Sequence, residues 1–446
     1  MNWNIKPSLG LWMLLTFWAV MPNASAKTNH EKVRTITKEF DVNDQSIIDI
    51  THDRGPAVIE YYDGAKAKLE VIVTVRGENE EDLETILSKY SLDINTSSNF
   101  IKIVSSANIT GWSMRSVISK KQYNIKFRDG SRIKTRVDRI KAALKLWVPK
   151  VEEVKIKNKH DDIRTNDLPF SLHVELFDGS LNAGTIQGEF ELTLKHGDGE
   201  TGKVGHATLD LFDSRVEMKD AQKVQVKSKH SRLRMENIES LDVSSVDSEI
   251  RLLSVQSEVD IKDKHSTFRA QEIGSGNWNL FDTKVTLEKA DDLLIESKHS
   301  EFRINQIQQL ELDIFDSDFD IQTLGAIKAT RSKHSNFSID QVNQSLDFRE
   351  AFDVRLRASS VAPSFSGLDY TGKHGTIELP LNESNIPHLL DIDVKHGRVD
   401  YQESAYEVAK HVEKGAELVL RARMKSTDDN GPKVKIRGED LKLELD

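Results

Sequence analysis

The sequence predicts an all-β protein built around a parallel β-helix, in which one repeated unit stacks on itself. A Lys-His pair alternates with a Phe-Asp pair, once Val-Asp, at steps of 17 to 22 residues through most of the 446-residue chain. Alternating apolar and polar residues fill the steps, and a fixed period of this kind is typical of repeat architectures. The second members of the pairs are His160, Asp178, His196, Asp213, His230, Asp247, His265, Asp282, His299, Asp316, His334, Asp353, His374 and His396.

Each step has the pattern of short β-strands. Leu310, Leu312 and Ile314 alternate with polar residues before one pair, and Phe319 and Ile321 do so after it. A step of 17 residues that already holds such strands has no room for a helix. One step therefore predicts one coil of a β-helix, and about 14 coils spaced about 4.8 Å apart would form a rod of about 60 Å. We assign residues 151–400 to this repeat domain.

The same alternation predicts which way the paired residues face. Counting by twos from Leu312 and Ile314 reaches Asp316, which places the His and Asp residues inward or at a corner. The Lys and Phe residues then face solvent, where Lys above Phe above Lys would allow cation–π contacts. Buried polar groups need partners, and stacked His and Asp side chains can hydrogen-bond to the coils above and below. The repeated phrase is thus predicted to be a structural ladder.

Residues 1–26 have the composition of a secretory signal peptide. Lys6 precedes an apolar run over residues 11–21, and Ala24, Ser25 and Ala26 form a small-residue pattern typical of a cleavage site. Eleven apolar residues are too few for a permanent transmembrane helix, although an N-terminal anchor remains an alternative. We expect the mature chain to begin at Lys27 and to be exported, with no transmembrane segment after the signal is removed. The chain has no Cys, so disulfides cannot stabilise it.

The segments that flank the repeat are predicted to close its two ends. Residues 27–150 form a β-rich capping domain, with strands over residues 68–75, 100–104 and 144–148. One helix is expected, because Leu83, Ile86, Leu87 and Tyr90 share a helical face. Residues 401–446 end in KVKIRGEDLKLELD, interpreted as a pair of closing strands. Solenoids need such atypical ends to cover their open edges.

Charge indicates which partners are compatible with the chain. The formal net charge is −10 and 30% of residues are charged, which argues against nucleic acid as a partner. Residues 115–150 nevertheless hold twelve Lys or Arg against only Asp129 and Asp138. This stretch could bind an anionic glycan or lipid headgroups; the alternative is a solvated pair of strands.

No catalytic, cofactor-binding or metal-ligating residue is predicted. Paired carboxylates that interrupt the repeat, a Ser nucleophile motif and H-E-x-x-H are all missing from the sequence. Residues 197–202 (GDGETG) match a dinucleotide-binding motif, but a strand rather than a helix is expected after them, so we interpret them as a surface turn. The recurring His residues could form a metal array or a pH switch. Their regular recurrence favours a structural role.

The chain resembles the putative-adhesin family of exported bacterial proteins, a β-helix family, across most of residues 35–400. The resemblance rests on TKEFDVNDQSIIDITHDRGPAVIEYYDG, on AKLEVIVTVRGENEEDLETILSKYSLDI leading to ALKLWVPKVEEVKIKNKHDDI, and on the run of short coils. Turns that are usually of Ser-Gly-Asp type in the family are Lys-His-Ser or Phe-Asp-Ser here. The resemblance implies a β-helix in the cell envelope and no catalytic residues.

Three classes of function follow from these observations. The first is a non-enzymatic cell-envelope scaffold or adhesin, in the periplasm or at the cell surface, that binds a surface polymer or an envelope protein. The second is a carbohydrate-active enzyme, a polysaccharide lyase or hydrolase, on the same solenoid. The third is an envelope-stress or metal-sensing protein that uses the His and Asp ladder. We favour the first class.

Overall fold

Strands that stack in parallel dominate a computed structural model of the chain, which describes residues 29–117, 120–384, 386–425 and 431–445. The predicted signal peptide lies outside the described residues. No helix within these ranges is long and apolar enough to cross a bilayer. The predicted fold class, an all-β solenoid with a β-rich N-terminal cap and one helix, is confirmed, and the solenoid has about 13 turns.

The N-terminal cap consists of strands on either side of a single helix. Its elements are β1 (His30–Asp41), β2 (Ile47–Asp53), β3 (Ala57–Tyr61), β4 (Lys66–Gly77), α1 (Glu80–Lys89), β5 (Ser91–Ser97), β6 (Phe100–Ser106), β7 (Ile109–Val117), β8 (Lys120–Phe127), β9 (Arg132–Thr135) and β10 (Val137–Val148). The strands predicted from the sequence lie within β4, β6 and β10.

Helix α1 forms where the apolar spacing predicts it. Asn79 caps its N-terminus, since the side-chain oxygen accepts hydrogen bonds from the backbone N–H groups of Glu81 and Asp82. Leu83 and Ile86 are buried on the face that packs against the sheet. Capping and burial together explain why a helix of only ten residues is stable in this context.

The solenoid strands follow without another helix. They are β11 (Glu153–Lys159), β12 (Ile163–Thr165), β13 (Ser171–Phe177), β14 (Ser180–Ala183), β15 (Ile186–Lys195), β16 (Asp198–Thr201), β17 (Val204–Phe212), β18 (Arg215–Lys229), β19 (Arg232–Val246), β20 (Glu249–Lys264), β21 (Thr267–Phe281), β22 (Lys284–Lys298), β23 (Glu301–Phe315), β24 (Asp318–Lys333), β25 (Asn336–Phe352), β26 (Arg355–Val361) and β27 (Gly367–Glu378).

Equivalent residues of successive turns lie directly above one another. Leu310 pairs in parallel with Leu293 of the preceding turn and with Ile327 of the next. All three side chains are buried, so the core is a set of apolar columns that run along the solenoid axis. Phe302 and Phe319 continue this order, because their rings stack at 4.3 Å in neighbouring turns. Each turn therefore buries its apolar face only against its neighbours.

The first stacked turn lies upstream of the predicted repeat domain. Strand β2 pairs in parallel with β6 on one side and with β11 on the other. Strand β3 pairs in the same way with β10 and β12. Between β2 and β3, Arg54 has a φ of 67° and occupies the position that His160 takes in the next turn. The capping region thus contributes a turn of its own to the solenoid.

The C-terminal segment differs from the pair of closing strands expected for it. It contains β28 (Leu389–Lys395), β29 (Arg398–Asp400), a 3-10 helix (Glu403–Ala405), β30 (Tyr406–Lys414), β31 (Glu417–Met424) and β32 (Lys433–Glu444). Strand β32 lies between β27 and β28 and pairs in parallel with both. Glu439 is the partner of Lys373 on one side and of Lys395 on the other. The last strand of the chain is therefore an internal strand of the solenoid.

The inserted strand completes the alternation that the sequence alone leaves interrupted. The sequence passes from His374 to His396 with no Phe-Asp pair between them, at the longest step of the series, 22 residues. In the structure Asp440 of β32 fills this position, and its Oδ2 lies 3.1 Å from Nδ1 of His374. The spatial order is thus His374, Asp440, His396, and the repeated phrase continues through a segment that is remote in sequence.

Candidate functional surface

The His and Asp residues of the repeat share a left-handed backbone conformation at one corner of the solenoid. Their φ values run from 49° to 63°. Few residues other than Gly adopt this region, and Asn, Asp and His are enriched there. The residues are His160, Asp178, His196, Asp213, His230, Asp247, His265, Asp282, His299, Asp316, His334, Asp353, His374, His396 and Asp440. The turn itself thus explains why these two residue types recur.

The sequence predicted that the His and Asp side chains face inward or lie at a corner. The corner position is correct, and the inward position is wrong. The side chain of His299 is 44% exposed and that of Asp316 is 58% exposed. Counting by twos assumes an extended backbone throughout, and the positive φ at Asp316 breaks this phase. Ile314 and Ser317 consequently point inward, while Asp316 does not.

The corner side chains form separate pairs instead of one continuous ladder. Nδ1 of His299 donates to the Asp316 carboxylate of the following turn at 2.8 Å. The equivalent distances are 3.0 or 3.1 Å in most pairs and 3.6 Å for His230 and Asp247. Within the described ranges, no corner His has a hydrogen bond to the Asp of the preceding turn, and Nε2 has no protein partner. Each carboxylate therefore fixes the orientation of a single imidazole.

Phe side chains fill nearly all the spaces between these imidazoles and form a column of rings with one interruption. The ring of His299 lies between those of Phe281 and Phe315, with centroids 5.6 and 5.7 Å away and planes at 81°. Phe281 and Phe315 are 38% and 39% exposed. We name this column the aromatic ridge; its members are His160, Phe177, His196, Phe212, His230, His265, Phe281, His299, Phe315, His334, Phe352 and His374.

The expected cation–π contacts between Lys and Phe are mostly replaced by these His–Phe contacts. Among the described residues, one such contact occurs on the ridge, with Nζ of Lys229 at 6.0 Å from the ring centroid of Phe212. Elsewhere an imidazole already occupies the space beside each Phe ring, since edge-to-face ring pairs are favourable. The ridge is interrupted once, where Val246 replaces Phe.

The buried polar ladder of the repeat is formed by the Ser residues that follow the corner. Ser300 is buried, and its Oγ donates to the carbonyl of Lys298 at 3.1 Å. The same oxygen accepts from the backbone N–H of Thr283 in the preceding turn at 3.2 Å. The ladder comprises Ser214, Ser231, Ser248, Ser266, Thr283, Ser300, Ser317 and Ser335. This ladder was not predicted from the sequence, although Ser in the third position of most phrases between residues 212 and 335 was the available signal.

The corner geometry makes a prediction about stability. Asp316→Val should lower the free energy of unfolding by about 1–3 kcal/mol, because a β-branched residue is strained at this positive φ. The matched control Asp316→Asn keeps a residue suited to this conformation and removes only an exposed charge pair, so its effect should stay below about 1 kcal/mol. Urea unfolding measures both. If Asn proved as destabilising as Val, the pair with His299 would matter more than the backbone.

A shallow groove runs beside the ridge. Its volume is ≈ 840 Å³, and its lining includes Lys264, Phe281, Lys298, His299, Phe315 and Lys333. On its floor Arg331 holds Asp313 through two hydrogen bonds of 2.7 and 2.6 Å. Glu296 accepts from Asn279 at 3.2 Å. The three Lys residues have no ion pair within the described parts of the chain, so they are cations available to a ligand, while Glu296 keeps its negative charge because Asn279 is neutral.

Neither a metal centre nor an acid–base cluster emerges from these positions. In the described ranges no three His, Asp or Glu side chains are grouped so that they could hold an ion. Successive corner His residues are two turns apart, about 9.6 Å, which is too far for two imidazoles to share one metal. The buried carboxylate of Asp263 accepts from the hydroxyls of Ser245 and Thr283 inside the core. It has no basic partner there among the described residues.

The structure also places residues 197–202 and the basic stretch, residues 115–150. Residues 197–202 are not a surface turn, because residues 198–201 form strand β16 within the stack. The basic stretch is divided between the small sheet β7–β8–β9 and strand β10 of the main sheet. Arg132 and Lys134 are exposed, whereas Arg136 is paired with Glu78 at 2.8 Å. Side chains of residues 114–122 lie outside the described part.

Comparison with known proteins adds three solved structures of low similarity. No protein-family model and no curated protein matches the chain. A putative cell adhesion protein from Clostridium sporogenes aligns with 8% identity over 93% of this chain and 99% of its own, at a TM-score of 0.18. A putative adhesin from Parabacteroides merdae aligns with 14% identity over 65% and 96%, at 0.26. One from Bacteroides fragilis aligns with 13% identity over 59% and 97%, at 0.24. With such TM-scores, conclusions about this chain rest on its own geometry.

Proposed function

We propose that this chain is a non-enzymatic, exported β-solenoid of the bacterial cell envelope that acts as an adhesin or scaffold and binds a surface polymer along the aromatic ridge. The observation that carries the proposal is the ridge itself. Exposed apolar residues are normally scattered over a surface, and a contiguous exposed patch is typical of an interaction site. Here exposed Phe rings form a line along the axis, so the surface suits an elongated partner.

The repetition of the ridge favours binding over catalysis. A catalytic site is one irregular group of side chains held in a particular geometry, whereas the ridge offers nearly the same groups again every two turns. The His side chains of the ridge are each fixed by one carboxylate and contact one or two Phe rings, so the surface is ordered before a ligand arrives. Preorganised groups lose less conformational entropy on binding. A single polymer chain that spans several turns would make the same contacts repeatedly, and their contributions to the binding free energy would add.

Substitution of two exposed rings tests the proposal. We expect the wild type to bind a subset of polymers on a glycan array, and Phe281→Ala/Phe315→Ala to reduce the affinity at least tenfold, or ~1.4 kcal/mol. Leu294→Ala is the matched control, because Leu294 is 42% exposed and lies away from the ridge. Unreduced affinity in the double variant would rule out the ridge. Shortened glycans in a parallel product assay would instead support the carbohydrate-active enzyme.

The basic stretch gives a separate prediction for anionic glycans or lipid headgroups. If the exposed residues Arg132 and Lys134 contribute to such binding, Arg132→Glu/Lys134→Glu should abolish it, and binding to anionic vesicles should weaken between low and physiological salt. Lys219→Glu/Lys223→Glu on the solenoid is the control for the change in net charge. If both variants bound anionic vesicles equally well, the basic stretch would be a solvated pair of strands with no role in binding. Arg136 is omitted, since its pairing with Glu78 contributes to the fold.

A further inference from the structure

The ridge and its groove have a period of two turns instead of one. Lys264, Lys298 and Lys333 occupy the same column as Phe281 and Phe315, which lie between them. Neighbouring strands are about 4.8 Å apart, so equivalent groups recur every ~9.6 Å. A ligand therefore meets a cation at one turn and an exposed aromatic ring at the next. Along the groove this order repeats without a break.

The cations without an ion pair occur only at the Lys turns of the groove. The three Lys side chains have no ion pair within the described ranges, in contrast to Lys373, which is paired with Glu439 at 2.9 Å. The Phe turns contribute no Lys or Arg to the groove lining. Glu296, in the turn of Lys298, accepts a hydrogen bond from Asn279 and forms no ion pair with the three Lys residues. A carboxylate on a ligand is thus favoured at the Lys turns over the Phe turns.

This pattern distinguishes between kinds of elongated partner. An extended peptide repeats every two residues at about 6.7 Å, so it would drift by about 3 Å against each pair of turns. Lipid headgroups in a membrane have no fixed repeat. An extended polysaccharide repeats every two sugar units at a distance close to that of two turns. The C–H face of a pyranose can pack on a Phe ring, while a carboxylate on the adjacent sugar meets Lys.

We infer that the groove at Lys264–Phe281–Lys298–Phe315–Lys333 binds an acidic polysaccharide that carries one carboxylate per disaccharide, in register with the two-turn repeat. The inference rests on the proposed function and names its ligand class. A neutral glycan would leave the Lys residues without partners. A glycan with a carboxylate on every sugar would place one beside a Phe ring, where the groove offers no cation. Nε2 of His299, which has no protein partner among the described residues, is available for a sugar hydroxyl.

Oligosaccharides of equal length with different charge spacing test the inference. The probes are hyaluronan octasaccharide (alternating glucuronate and N-acetylglucosamine), octagalacturonate, which has a carboxylate on every sugar, and neutral chito-oligosaccharide. Isothermal titration should show hyaluronan binding at least tenfold more tightly than the other two. Lys264→Gln/Lys298→Gln/Lys333→Gln should abolish this preference, whereas Lys219→Gln/Lys223→Gln/Lys284→Gln, away from the groove, should retain it.

Each outcome separates the inference from the function on which it rests. If neutral or fully acidic oligosaccharides bind as tightly as hyaluronan and Phe281→Ala/Phe315→Ala abolishes that binding, the ridge binds glycans but the charge register is wrong. If hyaluronan binds equally to wild type and the Lys variant, the inference is also overturned. If none of the three probes binds and the Phe variant leaves every interaction on the array unchanged, the proposed function fails as well.

Discussion

Removal of residues 433–446 is expected to unfold the C-terminal end of the solenoid. These residues include β32, which supplies hydrogen-bond partners to both β27 and β28. Val434, Ile436, Leu441 and Leu443 are fully buried or nearly so. At 1.5–3 kcal/mol for each buried aliphatic side chain, their loss removes on the order of 10 kcal/mol of apolar burial. No local contact replaces it, because β27 and β28 meet only through the missing strand.

Hydrogen exchange can locate the damage. Each turn of a solenoid contacts only its neighbours, so amide protection should fall in β28 and in the hairpin of β30 and β31, while β21 to β23 stay protected. A full-length chain with Glu439→Gln is the control, because it retains the strand and changes only the exposed pair with Lys373. Normal protection of β28 in the shortened chain would contradict the insertion of β32.

Acidification is expected to destabilise the N-terminal cap through His52. The imidazole is buried; its Nε2–H donates to the carbonyl of Ala142 at 2.9 Å, and its Nδ1 accepts from the hydroxyl of Ser105 at 3.0 Å. Burial lowers the pKa of His52 to about 4, against about 6.5 in the unfolded chain. The unfolded state therefore binds the proton more tightly, and the contribution of His52 to stability is fully present above pH 6.5.

That contribution is lost as the pH falls from 6.5 towards 4. The difference between the two pKa values corresponds to about 3 kcal/mol at most. Burial lowers the pKa of His388 as well, which adds to the loss in the C-terminal segment. Urea unfolding at pH 7.5 and 4.5 should show a smaller difference for His52→Gln, whose side-chain amide can still donate to Ala142. An identical pH dependence in wild type and variant would show that His52 is not responsible.

Much of the fold could be predicted because one local pattern is repeated in nearly every turn. Alternation such as Leu310, Leu312 and Ile314 indicates strands, and the constant step indicates stacking. Counting by twos could not predict which residue at the corner points into the core, because a single residue of positive φ shifts the alternation. The buried position therefore passes from Asp316 to Ser317.

The order in which strands stack at the C-terminal end could not be predicted from a local sequence pattern. Asp440 follows His374 in space but lies 66 residues after it in the sequence. Nothing in the sequence around His374 indicates which strand will pair there. The aromatic ridge was hidden for a related reason. Phe281, His299 and Phe315 form one surface only after three turns are stacked. Their contact also requires the imidazole to lie between the Phe rings, in a column where only Lys and Phe side chains were expected.

We propose that the repeated phrase forms a framework from which a polymer-binding ridge projects. The most direct test is the affinity of wild type, Phe281→Ala/Phe315→Ala and Leu294→Ala for the best polymer from the glycan array, measured together with thermal unfolding. We predict that the ridge variant loses at least tenfold in affinity, or ~1.4 kcal/mol, while all three proteins unfold at similar temperatures because the removed rings are only partly buried. A ridge variant that is equally stable and binds with unchanged affinity would contradict the claim.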